Sequence, residues 1–275
     1  MGSCEWGRGA LPGTLKFLKH HTAMLYWKVR AKAAGIHLGI SLAVAALAAM
    51  LVFGAWYPYP YREISGGREL FLILVTVDVI LGPLVTFVIF NRAKPRNELR
   101  RDLALVALVQ LLALGYGLWT VFVARPVHLV FEIDRFRIVH AIDVPSDLMD
   151  KVPAGIDALP LDGPTMLSLR PFRSRQEESD ATLVALQGIS LAARPDLWQP
   201  YEAGRAQVLR AAKPVDQLKT RFGPHAAAID AVLRRAGRQA AGTAYLPLAG
   251  RKAFWTVFVD PATADVVGFI ALDSF

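Results

Sequence analysis

The sequence predicts an α-helical membrane region of three transmembrane helices followed by an α+β extracytoplasmic domain. Two patterns carry this reading. Three apolar runs of 21 residues each, Ile36–Trp56, Leu70–Phe90 and Leu103–Val123, contain a single formal charge between them, Asp78. As helices rising about 1.5 Å per residue, each covers roughly 30 Å, the thickness of a bilayer's hydrocarbon core. After Ala124 the pattern changes to short alternating or apolar runs mixed with stretches of helical period, the mark of a folded domain outside the lipid. The chain divides into a basic segment 1–34, a three-span region 35–124 and a domain 125–275.

The basic segment is poor in acids (Lys16, Lys19, Lys28, Arg30, Lys32), and Met24 is an alternative start to Met1. The first span is longer than a signal-peptide core. Phe53-Gly54-Ala55 also puts a large residue where a peptidase needs a small one, so the span reads as an uncleaved anchor. Trp56, Tyr57, Tyr59 and Tyr61, interleaved with Pro58 and Pro60, read as an aromatic belt at the headgroup layer. Ser65 is expected to cap the second span, with Glu69 in its first turn, where the helix dipole favours an acid. Gly82-Pro83 marks a kink inside it, with Thr86 placed to help satisfy the freed backbone.

Charge sets the orientation. Of the net charge of +8, nearly all falls in residues 1–124, where thirteen Lys/Arg face six Asp/Glu; residues 125–275 carry eighteen against seventeen. A nucleic-acid-binding domain would carry the excess on a folded surface, so nucleic acid is not an expected partner. The segment Asn91–Asp102 holds Arg92, Lys94, Arg96, Arg100 and Arg101, whereas the first loop has only Arg62 and Arg68. Basic flanks stay in the cytoplasm, so three spans put everything after Ala124 across the membrane, in the periplasm of a Gram-negative cell. The single cysteine, Cys4, excludes an intrachain disulfide and a Cys-rich metal site.

In the domain, Val127–Ile133 and Phe136–Ala141 read as a hairpin turning at Asp134-Arg135. Glu132 then faces Arg137, and Val127, Leu129, Phe131 and Ile133 share a face with Phe136 and Ile138. A loop rich in Pro and Gly leads to a short strand near Met166–Leu169. Helical period follows in Gln176–Ala193, in Tyr201–Phe222 interrupted by Pro214, and in His225–Ala236. Ala253–Val259 and Val266–Leu272, almost continuously apolar, read as two central strands.

Asp78 is the sharpest functional candidate, because an acid inside a span costs several kcal/mol, on the order of 2.5–3.5 by insertion scales, unless it faces protein, water or a partner. Counted from the non-cytoplasmic ends of their runs, Asp78 lies about 12 Å deep and Tyr116 about 10 Å deep, with Gln110 deeper at about 20 Å. Two readings stand: a Tyr116–Asp78 hydrogen bond within the chain, or a polar contact for a transmembrane helix of another protein. Gly35, Gly39 and Ala43 recur every four residues, a spacing that lets helices approach closely. They pack on the protein's own spans or dock a foreign helix. The six histidines do not assemble into a metal site; His128 and His140 fall on opposite faces of the hairpin. Gly188-Ile189-Ser190-Leu191-Ala192 has the outline of a nucleophile elbow but falls in a helical pattern, without the strand and sharp turn that motif needs. No catalytic constellation, cofactor site or metal site is expected, and the reading is of a protein that is not an enzyme.

The stretch GIHLGISLAVAALAAMLVFGAWYPYPYREISGGRELFLILVTVDVILGPLVTFVIFN, continued by LRRDLALVALVQLLALGYGLWTVFVARPVHLVFEIDRFRIVHA, resembles the type IV pilin accessory proteins, the TfpX/TfpZ-like pilin chaperones. The likeness covers about residues 35–143 and is most specific at Ser65–Leu84 and Ala124–Phe136; it is loose beyond Pro145. It implies an inner-membrane accessory protein that stabilises or presents a type IV pilin subunit, contacting the subunit's membrane helix and its head. The oligomeric state stays open. Two other classes stand beside it: a membrane-anchored periplasmic sensor or small-molecule-binding protein, and a membrane-tethered enzyme.

Overall fold

The structure, a computed structural model, describes residues 12–91 and 93–275, and side chains from Trp27 onward. Cys4 and Arg92, with the side chains of His20, His21 and Met24, lie outside them. Three stretches are long and apolar enough to cross a membrane: Trp27–Trp56, Gly67–Ile89 and Arg96–Val123. The first is the end of helix α1 (Pro12–Leu51) closed by a π turn, Val52–Trp56. A single helical turn, α2 (Tyr61–Ile64), lies in the loop that follows. The second span is α3 (Gly67–Thr76), a π turn at Val77–Leu81 and α4 (Gly82–Ile89); the third is α5 (Arg96–Val123). Ser65 ends α2 rather than capping α3. Gly66, at φ +74°, makes the turn between them, and Glu69 does fall in the first turn of α3.

By contact the described residues form two units, one of residues 12–47 with 73–117, the other of residues 48–72 with 118–275. In the first, α1 turns His37 and Ser41 inward: His37 Nδ1 and the buried Thr86 Oγ1 share a hydrogen bond of 2.5 Å, and Ser41 is buried.

The second unit holds a mixed sheet built from β1 (Pro126–Glu132), β2 (Arg135–His140), β3 (Thr165–Leu169), β4 (Trp198–Pro200), β5 (Lys213–Pro214), β6 (Ala244–Ala249), β7 (Phe254–Val259) and β8 (Val266–Ile270). Its order is β4-β3-β1-β2-β6-β7-β8, with β5 paired to β6. The β1/β3 and β2/β6 pairs are parallel and the rest antiparallel. Helices α6 (Arg175–Leu186), α7 (Tyr201–Ala211), α8 (Val215–Arg221) and α9 (Ala226–Arg235) cover it. Leu129, Phe131, Phe136 and Ile138 form one core with Tyr201 and Val208 of α7, while Tyr245, Phe258 and Ile270 meet Leu218 and Ile229 of α8 and α9.

Several expectations need correction. The hairpin turns one residue earlier than predicted, at Ile133-Asp134: Glu132 lies opposite Arg135 and Phe131 opposite Phe136. Ile133 is therefore out of the shared face, in the turn at φ +56° and 72% exposed. An irregularity between Pro126 and His128 sends Val127 to a different core from Leu129. Arg137 still reaches the Glu132 carboxylate, at 2.5 Å, diagonally rather than directly across. The helix from Gln176 stops at Leu186, because Gly188, at φ +102°, leaves helical geometry. Of the two terminal strands, β7 is central but β8 is an edge. Strand β6 is not among the predicted strands, and it carries a proline, Pro247, a residue that cannot donate to a sheet ladder. The proline is accommodated between Tyr245, paired to β5, and Leu248, paired to β2, where that side of β6 has no partner.

The first loop is not a belt in the headgroup layer. Tyr57 and Ile64 have no exposure, and Ile64 joins the sheet core with Leu246, Leu248 and Val257. Tyr61 packs against the same core and stacks edge-on to Phe269, 6.1 Å between ring centres. Tyr57 donates its hydroxyl to the Val121 carbonyl at 3.1 Å, with Gly67 so close to its ring that a Cβ there would collide. Lys252 N–H donates to the Ile64 carbonyl at 3.4 Å, and Lys252 also pairs with Glu69. Tyr59 is 65% exposed, and Trp56 is half-buried, its ring centre 5.0 Å from that of Phe122.

This packing has two measurable consequences. Ile64→Ala removes a fully buried side chain and lowers the stability of the domain by about 2–5 kcal/mol, read by denaturant unfolding of the detergent-solubilised protein; an unchanged midpoint would contradict the core placement. His128 is buried on the edge of the Trp198 ring and bonded to Thr165 Oγ1 at 2.7 Å and the Ala158 carbonyl at 3.0 Å. Burial holds its pKa down at about 4, against 6.5 when free. Folding thus favours the neutral ring, so this contribution is complete above pH 6.5 and is lost as the pH falls from 6.5 through 4. The loss, up to about 3 kcal/mol, is seen as a falling unfolding midpoint over that window, and His128→Gln flattens the slope.

Candidate functional site

Within the three candidate spans a cleft lies between α5 and the broken second span. Pro83 has no N–H, so it cannot continue the helical ladder. In the five-residue register of the π turn at Val77–Leu81 the missing donor would have served the Asp78 carbonyl. Gln110 of α5 supplies it instead, its Nε2 donating to the Asp78 carbonyl oxygen at 3.3 Å. Gly82 makes the approach feasible, since a Cβ there would collide with the Gln110 amide. Thr86, expected to serve the freed backbone, bonds His37.

Asp78 is among the residues lining the same cleft, a cavity of about 360 Å³ walled largely by apolar residues, among them Val77, Leu81, Leu105 and Val109. Its Oδ1 is buried and has no hydrogen-bond partner among the described residues. The expected depth match to Tyr116 is about one turn out. The helices are level where Gly117 meets Leu74 and where Gln110 meets Gly82, which puts Ala113, a cavity residue, beside Asp78. The offset arises because α3 begins at Gly67, three residues before the apolar run used to count depth. Tyr116 is 75% exposed.

Gly35, Gly39 and Ala43 do not pack on the protein's own spans. No described atom comes within 4 Å of a Cβ built at Gly35 or Gly39, and Ala43 is exposed. The inward face of α1 is the one carrying His37 and Ser41. The structure therefore brings Asp78 together with Gln110 and leaves the three small residues on an open face.

A second polar cavity, about 360 Å³, lies in the sheet unit, where β2 runs three residues past its last pair with the parallel strand β6. Arg137, His140, Asp143, Ser190 and Arg251 line it. His140 Nδ1 is 3.0 Å from Asp143 Oδ2, and Arg251 donates to Asp143 Oδ1 at 2.6 Å. Burial alone would raise the Asp143 carboxyl, but the His140 bond and the Arg251 charge outweigh it and hold it below the usual carboxylate range. His140 Nε2 is buried without a hydrogen-bond partner among the described residues. Ser190 reaches this cavity because its segment has left the helix. Sequence spacing held no sign of this cluster, whose members are up to 114 positions apart in the chain. Among the described residues no group of three His, Cys, Asp or Glu side chains is placed to hold a metal ion.

Comparison with known proteins adds a separate line of observation. The family model described as "Fimbrial assembly protein FimB" matches residues 25–66, the end of α1 and the buried loop. A fimbrial assembly protein of serogroup I from Dichelobacter nodosus is 33% identical over 250 residues, 89% of this chain and 96% of the relative. One of serogroup E1 from the same organism is 32% identical over the same shares. A third, of serogroups C1 and C2, is 44% identical over 123 residues, 45% of this chain and 92% of the relative. No solved structure matches.

The cleft generates its own prediction. Gln110→Leu leaves the Asp78 carbonyl without its donor and destabilises the helical bundle by about 1–3 kcal/mol, measured as a lower melting temperature in detergent. Equal stability of the two forms would contradict the bond.

Proposed function

The chain belongs to the fimbrial assembly protein family, and from that premise we propose that it is an inner-membrane accessory protein that holds a type IV pilin subunit before the subunit enters the fibre. The observation that carries this reading is the Asp78 carboxylate, whose Oδ1 has no hydrogen-bond partner among the described residues, beside an apolar cleft within the candidate spans. An acid so placed is costly to the isolated protein, and a transmembrane helix bringing a hydrogen-bond donor removes that cost. The open face of Gly35, Gly39 and Ala43 offers a foreign helix a second close approach. The domain after Ala124 lies on the periplasmic side and meets the subunit's head. Two weak contacts on one client raise its effective concentration without high affinity at either. The protein acts by binding, without catalysis or a cofactor.

The polar cavity at His140 favours one other reading, a membrane-anchored periplasmic sensor or small-molecule-binding protein.

Asp78→Leu separates these. Replacing a buried acid with an apolar side chain leaves the protein at least as stable. Cells carrying it lose several-fold of their pilin, and a photo-cross-linker at Val109 that captures pilin in the parent no longer does so. Unchanged pilin and piliation would overturn the proposal, and a loss of the protein's own stability would assign Asp78 to internal packing.

A further inference from the structure

At the end of the spans opposite the first loop lies a cavity of about 420 Å³ with a polar rim and an apolar floor. Arg30, Asn91, Lys94 and Asp102 form the rim; Val88 and Val106 are part of the floor. Arg30 is half-buried, its Nε is fully buried, and it makes no hydrogen bond or ion pair with any described residue. The acid in the same rim does not serve it: Asp102 Oδ2 accepts from Lys94 at 2.8 Å, and Lys94 also approaches Glu98 at 3.4 Å. Asn91 Oδ1 is likewise taken, by the Ala93 N–H at 3.0 Å, so its amide N–H groups are what it has left to offer. The rim has donors to spare, while Asp102 Oδ2 and Asn91 Oδ1 are engaged.

From this we infer that the cavity is a binding site for an anionic phospholipid. A partly buried guanidinium without a counter-charge is destabilising, and its planar fork matches two oxygens of a phosphodiester. The depth is right for a headgroup: Arg30 lies six residues before the first apolar run, Ile36–Trp56, and Ile89, which also lines the cavity, ends the second candidate span. The floor takes the upper acyl chain. The surrounding segment Asn91–Asp102 carries five cations against two acids, which favours a net-negative headgroup over a zwitterionic one. The inference is independent of the pilin reading, since it involves neither Asp78 nor the domain.

Native mass spectrometry of the full chain in a non-ionic detergent tests it, with phosphatidylglycerol, phosphatidylcholine or inorganic phosphate added separately. The expected result is one phosphatidylglycerol per chain, retained under activation that strips phosphatidylcholine and not displaced by excess inorganic phosphate. Arg30→Gln reduces that retention about tenfold, as loss of a charge-assisted hydrogen bond implies, whereas Arg68→Gln, at the start of the second span, leaves it unchanged. Equal retention of the two lipids by the unaltered chain overturns the inference. So does displacement by phosphate alone, wild-type binding by Arg30→Gln, or an equal loss in both variants.

Discussion

The loop between the first two spans is the constraint on which the sheet unit depends. Ten residues, Tyr57–Gly66, must leave one apolar helix and enter the next, and in doing so they bury Tyr57 and Ile64 completely. Their backbone is satisfied locally, with the Pro60 carbonyl accepting from Glu63 and Ile64 and the Tyr61 carbonyl from Ser65. The Ile64 carbonyl accepts from Lys252, far along the chain. Backbone groups buried away from water need such partners. Because Ile64 sits among residues of β1, β2, β6 and β7, a loop that follows the first span completes the core of a sheet whose last strands are the last to be made. Arg125, at the exit of the third span, is tied in similarly: it is buried, lies over Phe122, and donates to the Phe122, Leu159 and Pro160 carbonyls.

A second chain of cause runs through the cleft. One proline removes a donor, the helix widens by a π turn, a carbonyl is freed, and a glutamine from the neighbouring span answers it beside a glycine small enough to admit it. That arrangement satisfies the backbone of Asp78 and does nothing for the Asp78 Oδ1 atom. In lipid, where water cannot substitute, the difference between a satisfied carbonyl and a carboxylate oxygen without a partner among the described residues separates a structural feature from a candidate contact.

How much was legible varies by residue type. The three spans were, since length and hydropathy are properties of the chain alone, and so were the break at Pro214 and the helix from Ala226. Asp78 was conspicuous as the lone acid; its partner was not, because depth counted from the apolar run ignores the extra turn contributed by Gly67-Arg68-Glu69. The hairpin was found with its turn one residue late, since nothing local marks Ile133 for a positive φ. Strand β6 was not read from the sequence; its Pro247 is tolerated only because that side of the strand has no partner there, which the arrangement of neighbours decides. Arg30 read as one more basic flank residue, although no described residue pairs with it while Lys94 takes Asp102.

The sequence by itself determined which stretches are long and apolar enough to cross lipid, which flanks are basic, and that a mixed α and β domain follows, because these depend on the composition of contiguous segments. Only the tertiary structure decided that the first loop belongs to the core of that domain, that Gln110 rather than Tyr116 meets Asp78, and that Gly35, Gly39 and Ala43 face outward. Each of these is a statement about which distant surfaces meet. That is settled by packing and by the need to satisfy buried polar groups, neither of which a one-dimensional pattern records.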